Sequence, residues 1–280
     1  MVSDPEPPIP TPGDVDGQLV YAVGDVHGCY DQLRELLAQI TRDWESRAKG
    51  RTASLIFCGD YVDRGPASRE VLDALCWLKR RGPFNVHFLK GNHEQVMLDY
   101  IAEPVVTRVW MRWGGADTLR SYGVIPPAVD DPADKHVVAR DDLLERMPAS
   151  HLRFLETLEL MVGIGDYAFV HAGIRPGVPL DEQVQDDLLW IRDDFLPVQE
   201  EHERVIVHGH SWKSDRPVIL PHRIGIDTGA YETGVLTALR IEDGLIQILS
   251  AGKARADPES ISLADAAAAR SSRATSRVAH

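Results

Sequence analysis

Aspartate and histidine recur in this chain at spacings that let short loops hold cations. Asp25-Val26-His27 sets a carboxylate and an imidazole two residues apart, flanked by Gly24 and Gly28, so both donors can face one ion. Asp60 follows a second apolar run, Asn92 a third, His171 a fourth, and His210 follows Val205-Ile206-Val207-His208-Gly209. The set is two carboxylates, one amide oxygen and three imidazoles, with no thiolate. Such donors suit first-row ions, manganese with iron or zinc as alternatives. One ion needs only three or four of them, and two ions sharing a bridging carboxylate account for the surplus. Paired ions of this kind stand roughly 3.5–4 Å apart and clamp both attacking and leaving oxygens. Asp60, between the other clusters in chain order, is the natural bridge.

Each cluster sits at the carboxyl end of an apolar run, where open α/β sheets place their ligands. Strands are expected over residues 18–23, 53–58 and 84–89, each followed by apolar residues at helical spacing: Leu33, Leu36, Leu37 and Ile40; Val71, Leu72, Leu75 and Leu78; Val96, Met97 and Ile101. Three strand–loop–helix units in a row predict parallel pairing with crossover helices. Shorter strands are expected over 158–164, 166–170, 205–207, 218–220, 223–226, 235–241 and 245–249, with a hairpin turn at Glu242-Asp243-Gly244, and together they suggest a second, largely antiparallel sheet. The fold class is α/β (α+β): two packed mixed β-sheets flanked by helices, an αββα sandwich. Residues 1–16 read as a disordered lead-in, 17–252 as one domain with a helical cap over about 107–160, and 253–280 as a disordered tail.

A chain of 280 residues with 44% hydrophobic and 26% charged residues is an ordinary globular protein with a full core. No apolar run is long enough to span a bilayer, and the start lacks the pattern of a secretory signal, so a cytoplasmic location is expected. The net charge of -13 argues against nucleic-acid binding. A site for phosphate esters must then be locally positive against a negative background, which bound cations and arginines supply. Cys29, Cys58 and Cys76 match neither a zinc knuckle nor a disulfide framework and read as packed thiols. Of the other histidines, His87 reads as a strand residue, His151, His202 and His222 as surface, and His208 as packing.

The ordered motifs Gly24-Asp25-Val26-His27-Gly28, Gly59-Asp60-Tyr61-Val62-Asp63-Arg64-Gly65, Gly91-Asn92-His93-Glu94, His171-Ala172-Gly173 and Gly209-His210 resemble the phosphoprotein phosphatase family within the calcineurin-like metallophosphoesterases. Leu189-Trp190-Ile191-Arg192 and Ile226-Asp227-Thr228-Gly229-Ala230 are similar to the short bacterial and phage-type serine/threonine phosphatases. The resemblance implies that Asp25, His27 and Asp60 hold one metal, and that Asp60, Asn92, His171 and His210 hold the other. It implies His93 as general acid, oriented by Asp63, with Arg64 and Arg192 gripping the phosphoryl oxygens. Lys90 stands where many protein-phosphatase members carry arginine, so its contact with substrate stays open.

The implied activity is phosphomonoester hydrolysis by direct attack of a metal-bridged hydroxide, on phosphorylated protein or a small phosphoester, with neither nucleic acid nor membrane as partner. The alternative on the same scaffold is a dinucleoside tetraphosphate or other nucleotide pyrophosphohydrolase, which Asp63 and Glu94 are taken to disfavour. The remaining rival is a non-catalytic binding protein.

Overall fold

In the computed structural model, described for residues 13–48, 50–51, 53–242, 244–252 and 260–262, two β-sheets pack face to face with helices on their outer sides. The first sheet is built around β1 (Leu19–Val23), β2 (Ala53–Phe57) and β3 (Asn85–Phe88), paired in parallel. Helices α1 (Tyr30–Arg47) and α2 (Ser68–Arg81) connect them, and α3 (Asn92–Ala102) leaves β3. Every residue of β1 and β2 is buried because both sheet faces are covered. Leu19, Tyr21 and Val23 pack against the helices, while Val20 and Ala22 face the second sheet.

The middle of the chain is helical as expected: α4 (Gly115–Ser121), α5 (Ala133–Arg146) and α6 (Ala149–Glu156), preceded by a 3-10 turn at Arg108–Trp113. The second sheet runs in the order β4 (Met161–Ile164), β5 (Tyr167–Val170), β6 (Val205–His208), β8 (Arg223–Gly225) and β7 (Val218–Ile219), with α7 (Gln185–Trp190) between β5 and β6.

This second sheet departs from the antiparallel expectation. Its inner strands β5, β6 and β8 pair in parallel, and only the edge pairs β4–β5 and β7–β8 are antiparallel. The long connections from β5 to β6 and from β6 to β8 leave room for crossovers. The last long strands, β9 (Val235–Glu242) and β10 (Leu245–Gly252), return to the first sheet, where β9 lies antiparallel to β1. α8 (Ala230–Thr233) precedes β9. Asp243, in the expected hairpin turn, lies outside the described residues.

At the ends, Val15 is buried in the inter-sheet core and Asp14 pairs with Asp166 through both backbone and side chain, so the packed chain begins inside the expected lead-in. Strand β11 (Ser260–Ser262) pairs antiparallel with β10, within the stretch expected as tail; the rest of that stretch lies outside the described residues. Among the described residues no helix is long and apolar enough to cross a membrane.

Candidate metal centre

The loops at the carboxyl ends of β1, β2, β5 and β6 and the first turn of α3 converge on one point between the sheets. Positive φ is rare away from glycine, yet His27, Asp60, Asp63, Arg64 and His210 all adopt it, at 43°, 51°, 72°, 67° and 62°. Sharp left-handed turns direct His27, Asp60, Arg64 and His210 to the cavity and set Asp63 behind His93, and such strain concentrates at functional sites. Gly28 and Gly65 pack backbone to backbone, where a Cβ on either would collide with the other loop.

Asp60 is the centre of the cluster. Its Oδ2 lies 3.4 Å from His27 Nε2, and its Oδ1 lies 3.5 Å from His171 Nε2. Two triads of potential ligands meet at it, His27–Asp60–His93 and Asp60–His171–His210. Backbone carbonyls set the tautomers. His27 Nδ1 donates to Val62 O at 2.9 Å and His171 Nδ1 donates to Cys58 O at 2.8 Å. Each therefore turns a bare Nε2 toward Asp60. Burial lowers His27 to about 3 and also lowers His171 and His210, which favours the neutral, metal-binding form of each. Burial raises Asp60, but the positive charge that the surrounding imidazoles take up when protonated outweighs it and holds the carboxylate well below its usual range.

Three observations fit a cation pair. His171 Nε2, bare by its tautomer, lies 2.9 Å from Asn92 Oδ1, so two acceptors face each other with no proton between them. Asp25 Oδ1 is buried without a hydrogen-bond partner among the described residues, although Oδ2 accepts from the His210 backbone N–H at 2.9 Å. Burial and the nearby Asp227 and Asp60 carboxylates push Asp25 well up, a penalty that a cation relieves. Asp25, His27, Asp60, Asn92, His171 and His210 are all buried around this one cavity.

The other residues singled out in the sequence line the same place. His93 Nδ1 donates to Asp63 Oδ2 at 2.7 Å, and its Nε2 faces Asp60 Oδ2 at 4.0 Å. Burial lowers the imidazole, but Asp60 and Asp63 outweigh it and raise it to about 9. Arg64 lies over the Tyr231 ring, 5.0 Å from its centroid, and Arg192 Nε donates to His210 Nε2 at 2.8 Å. Both guanidinium groups line a cavity of about 380 Å³. Lys90 is turned aside, donating to Gln95 Oε1 at 3.2 Å. Burial pushes the Cys29 thiol up to about 12, which suits a packed residue rather than a nucleophile.

The family model for calcineurin-like phosphoesterases matches residues 19–232. The chain is a calcineurin-like phosphoesterase. Over 236 residues this phosphoesterase is 27% identical to the asymmetrical bis(5'-nucleosyl)-tetraphosphatase PrpE of Geobacillus thermodenitrificans, a match covering 78% of this chain and 88% of that relative. A 158-residue stretch is 32% identical to the symmetrical bis(5'-nucleosyl)-tetraphosphatase of Aromatoleum aromaticum, covering 56% of this chain and 45% of the relative. A solved cold-active protein tyrosine phosphatase shares the fold, with a TM-score of 0.58 at 18% identity over 88% of this chain and 80% of that one.

Several residues have structural roles at the site that the sequence did not disclose. Glu94 is buried and accepts four backbone N–H groups, from Asp60, Tyr61, Val62 and Gly91, tying the β2 loop to the start of α3. Trp110 Nε1 and Thr118 Oγ1 donate to the two oxygens of Asp63 at 2.8 and 2.6 Å. The helices expected to overhang the site thus buttress Asp63 from behind. The cavity rim instead comes from residues after α7 and from the loop after β6. His151 and His222, expected at the surface, are buried. His151 donates to Asp73 and accepts from the Tyr122 hydroxyl, a pairing that sequence spacing does not reveal. His208 packs against Phe195, in line with its expected packing role.

Proposed function

We propose that this phosphoesterase hydrolyses the polyphosphate bridge of dinucleoside tetraphosphates, the alternative rather than the first choice of the sequence reading. The observation that carries it is the match along nearly the whole length of asymmetrical bis(5'-nucleosyl)-tetraphosphatases. The likeness to a protein phosphatase is one of fold at 18% identity and carries no substrate. Asp63 and Glu94, taken as marks of a protein phosphatase, have jobs that any member of the scaffold can use: one holds His93, the other ties two backbone segments together.

In this reading Asp25, His27 and Asp60 hold one divalent cation, and Asp60, Asn92, His171 and His210 hold a second, with manganese as the first ion to try. When bound there, such a pair would supply positive charge to the phosphoryl oxygens and lower the pKa of a water. Arg64 and Arg192 bind the non-bridging oxygens of the phosphoryl group attacked. The attacking water gives up one proton to solvent as its oxygen bonds to phosphorus, the P–O bond to the leaving nucleotide breaks, and the leaving oxygen takes the proton held at His93 Nε2, which solvent then replaces. Asp63 keeps the ring oriented, since its bond to Nδ1 leaves Nε2 facing the cavity.

The test is a side-by-side rate measurement on diadenosine tetraphosphate and a phosphoserine peptide, with manganese and chromatographic product analysis. The dinucleotide is expected to be the better substrate by kcat/KM. A faster rate on the peptide returns the protein-phosphatase reading.

A further inference from the structure

The cavity does not stop at the metal cluster. Three successive residues after the ligand His210 line it: Ser211, Trp212 and Lys213. Each brings a different chemistry. Ser211 Oγ is buried, with no hydrogen-bond partner among the described residues, an unmet donor and acceptor in a residue that lines the cavity. The Lys213 ammonium is exposed and makes no ion pair among the described residues. The Trp212 indole is seated on Gly229, whose φ of 64° and missing Cβ leave the space that the ring fills.

These groups are joined to the reaction centre by an aromatic wall. His93 meets His27 edge to face with ring centroids 4.7 Å apart, His27 meets Tyr231 at 5.2 Å, and Tyr231 meets Trp212 at 6.3 Å and 90°. The wall therefore starts at His93, the group that the proposed reaction sets beside the departing oxygen. A simple phosphate ester needs none of it. A nucleotide leaving group presents one more phosphate, which a hydroxyl and an ammonium bind, and a flat base, which an indole stacks.

We infer that Ser211, Trp212 and Lys213 form a leaving-group subsite for the phosphate and base next to the bond cleaved. The inference rests on the dinucleotide reading of the same site. It makes Trp212 and Lys213 specificity residues: they select nucleotide over simple ester while the metal cluster and the two arginines act on the phosphoryl group itself.

The test separates the subsite from the substrate reading. In the manganese-loaded full chain, ADP and inorganic phosphate are each titrated as inhibitors of aryl phosphate hydrolysis. Losing one stacking platform or one phosphate contact should weaken ADP inhibition about tenfold in Trp212→Ala or Lys213→Ala, while inhibition by inorganic phosphate shifts by less than about twofold. Trp212→Phe, which keeps a ring on Gly229, and Lys213→Arg, which keeps the charge, should each restore most of the loss. Selective weakening of ADP supports the subsite even if diadenosine tetraphosphate proves not to be hydrolysed, in which case only the substrate reading falls. Equal weakening of ADP and phosphate reduces the loop to support of the metal cluster and overturns the proposal. So does an unsubstituted protein that ADP inhibits no better than phosphate does.

Discussion

Trp110 donates its indole N–H to Asp63 Oδ2 at 2.8 Å, the same oxygen that accepts from His93 at 2.7 Å. Thr118 holds the other carboxylate oxygen, and the Asp63 backbone N–H is met by Ser68 and Thr118. A carboxylate fixed on both oxygens cannot rotate, so the imidazole it holds keeps one orientation. Orientation of the proposed proton donor His93 is thus set through Asp63 by a tryptophan 47 residues further along the chain than that carboxylate.

Trp110→Phe keeps the buried ring and removes only the donor. A hydrogen bond to a charged buried group is worth about 1.5–3 kcal/mol, and the variant should lose an amount in that range in denaturant unfolding. Its kcat should fall while KM changes little, because a looser Asp63 disturbs His93 and not the arginines. A variant with full kcat would show that Thr118 alone suffices to orient the carboxylate.

The His93–Asp63 pair also predicts a titration. With Asp60 and Asp63 overcoming burial, the metal-free imidazole titrates at about 9 instead of 6.5. A raised folded value means that the pair stabilises the fold fully below pH 6.5, and that this contribution fades as pH rises through about 9. NMR of metal-free protein should place the His93 midpoint well above that of free imidazole, and Asp63→Asn should bring it down. A His93 midpoint near that of a free imidazole would remove the coupling.

The leaving group decides how much His93 matters. An alkoxide leaves poorly without a proton, whereas the phosphate oxygen of a nucleotide is a far weaker base. His93→Asn should therefore cut turnover of an alkyl phosphate by about 10²–10⁴-fold and that of a dinucleoside tetraphosphate by clearly less. Equal losses on both substrates would assign His93 to the phosphoryl group rather than to the departing oxygen.

Much of the candidate site was legible because its proposed ligands announce themselves locally. Asp25, His27, Asp60, Asn92, His171 and His210 each follow an apolar run, and a strand end is where a sheet presents ligands. The supporting residues were silent for a physical reason: their partners are distant. Glu94 reads as a motif residue without a stated contact until Asp60, Tyr61 and Val62 fold against it. Trp110 and Thr118 fit a packed helix equally well without Asp63. The sheet error has the same origin. β9 looks like any alternating strand, and only tertiary pairing sets it beside β1. Asp227 showed itself as a motif residue alone. In the fold it lies in the cavity wall, and burial raises it to about 7.

Glu94 gives the sharpest stability prediction. Burial and Asp60 push its carboxyl up to about 8, yet its two oxygens serve four backbone N–H groups at 2.7–3.2 Å. In Glu94→Gln the amide nitrogen must face donors that need an acceptor. Each buried donor left unmet costs about 1–3 kcal/mol, and two such losses should show as about 2–6 kcal/mol in denaturant unfolding. An unchanged midpoint would mean that water serves these groups.

Asp60 should couple the two cation positions. One oxygen faces His27 and the other faces His171, so both triads lose a ligand when it is replaced. A ligand at one hundred times its Kd stabilises by about 2.7 kcal/mol, which for a domain of this size is about 5–10 °C in Tm. Manganese should raise the melting temperature of the unsubstituted protein by that order, and a chelator should reverse the gain. Asp60→Asn should abolish the rise and leave less than one bound ion per chain by elemental analysis. Replacing Asp25 should remove only one ion, since Asn92, His171 and His210 keep the second position. If Asp60→Asn still binds two manganese ions per chain, the carboxylate does not join them, and the two positions must be filled independently.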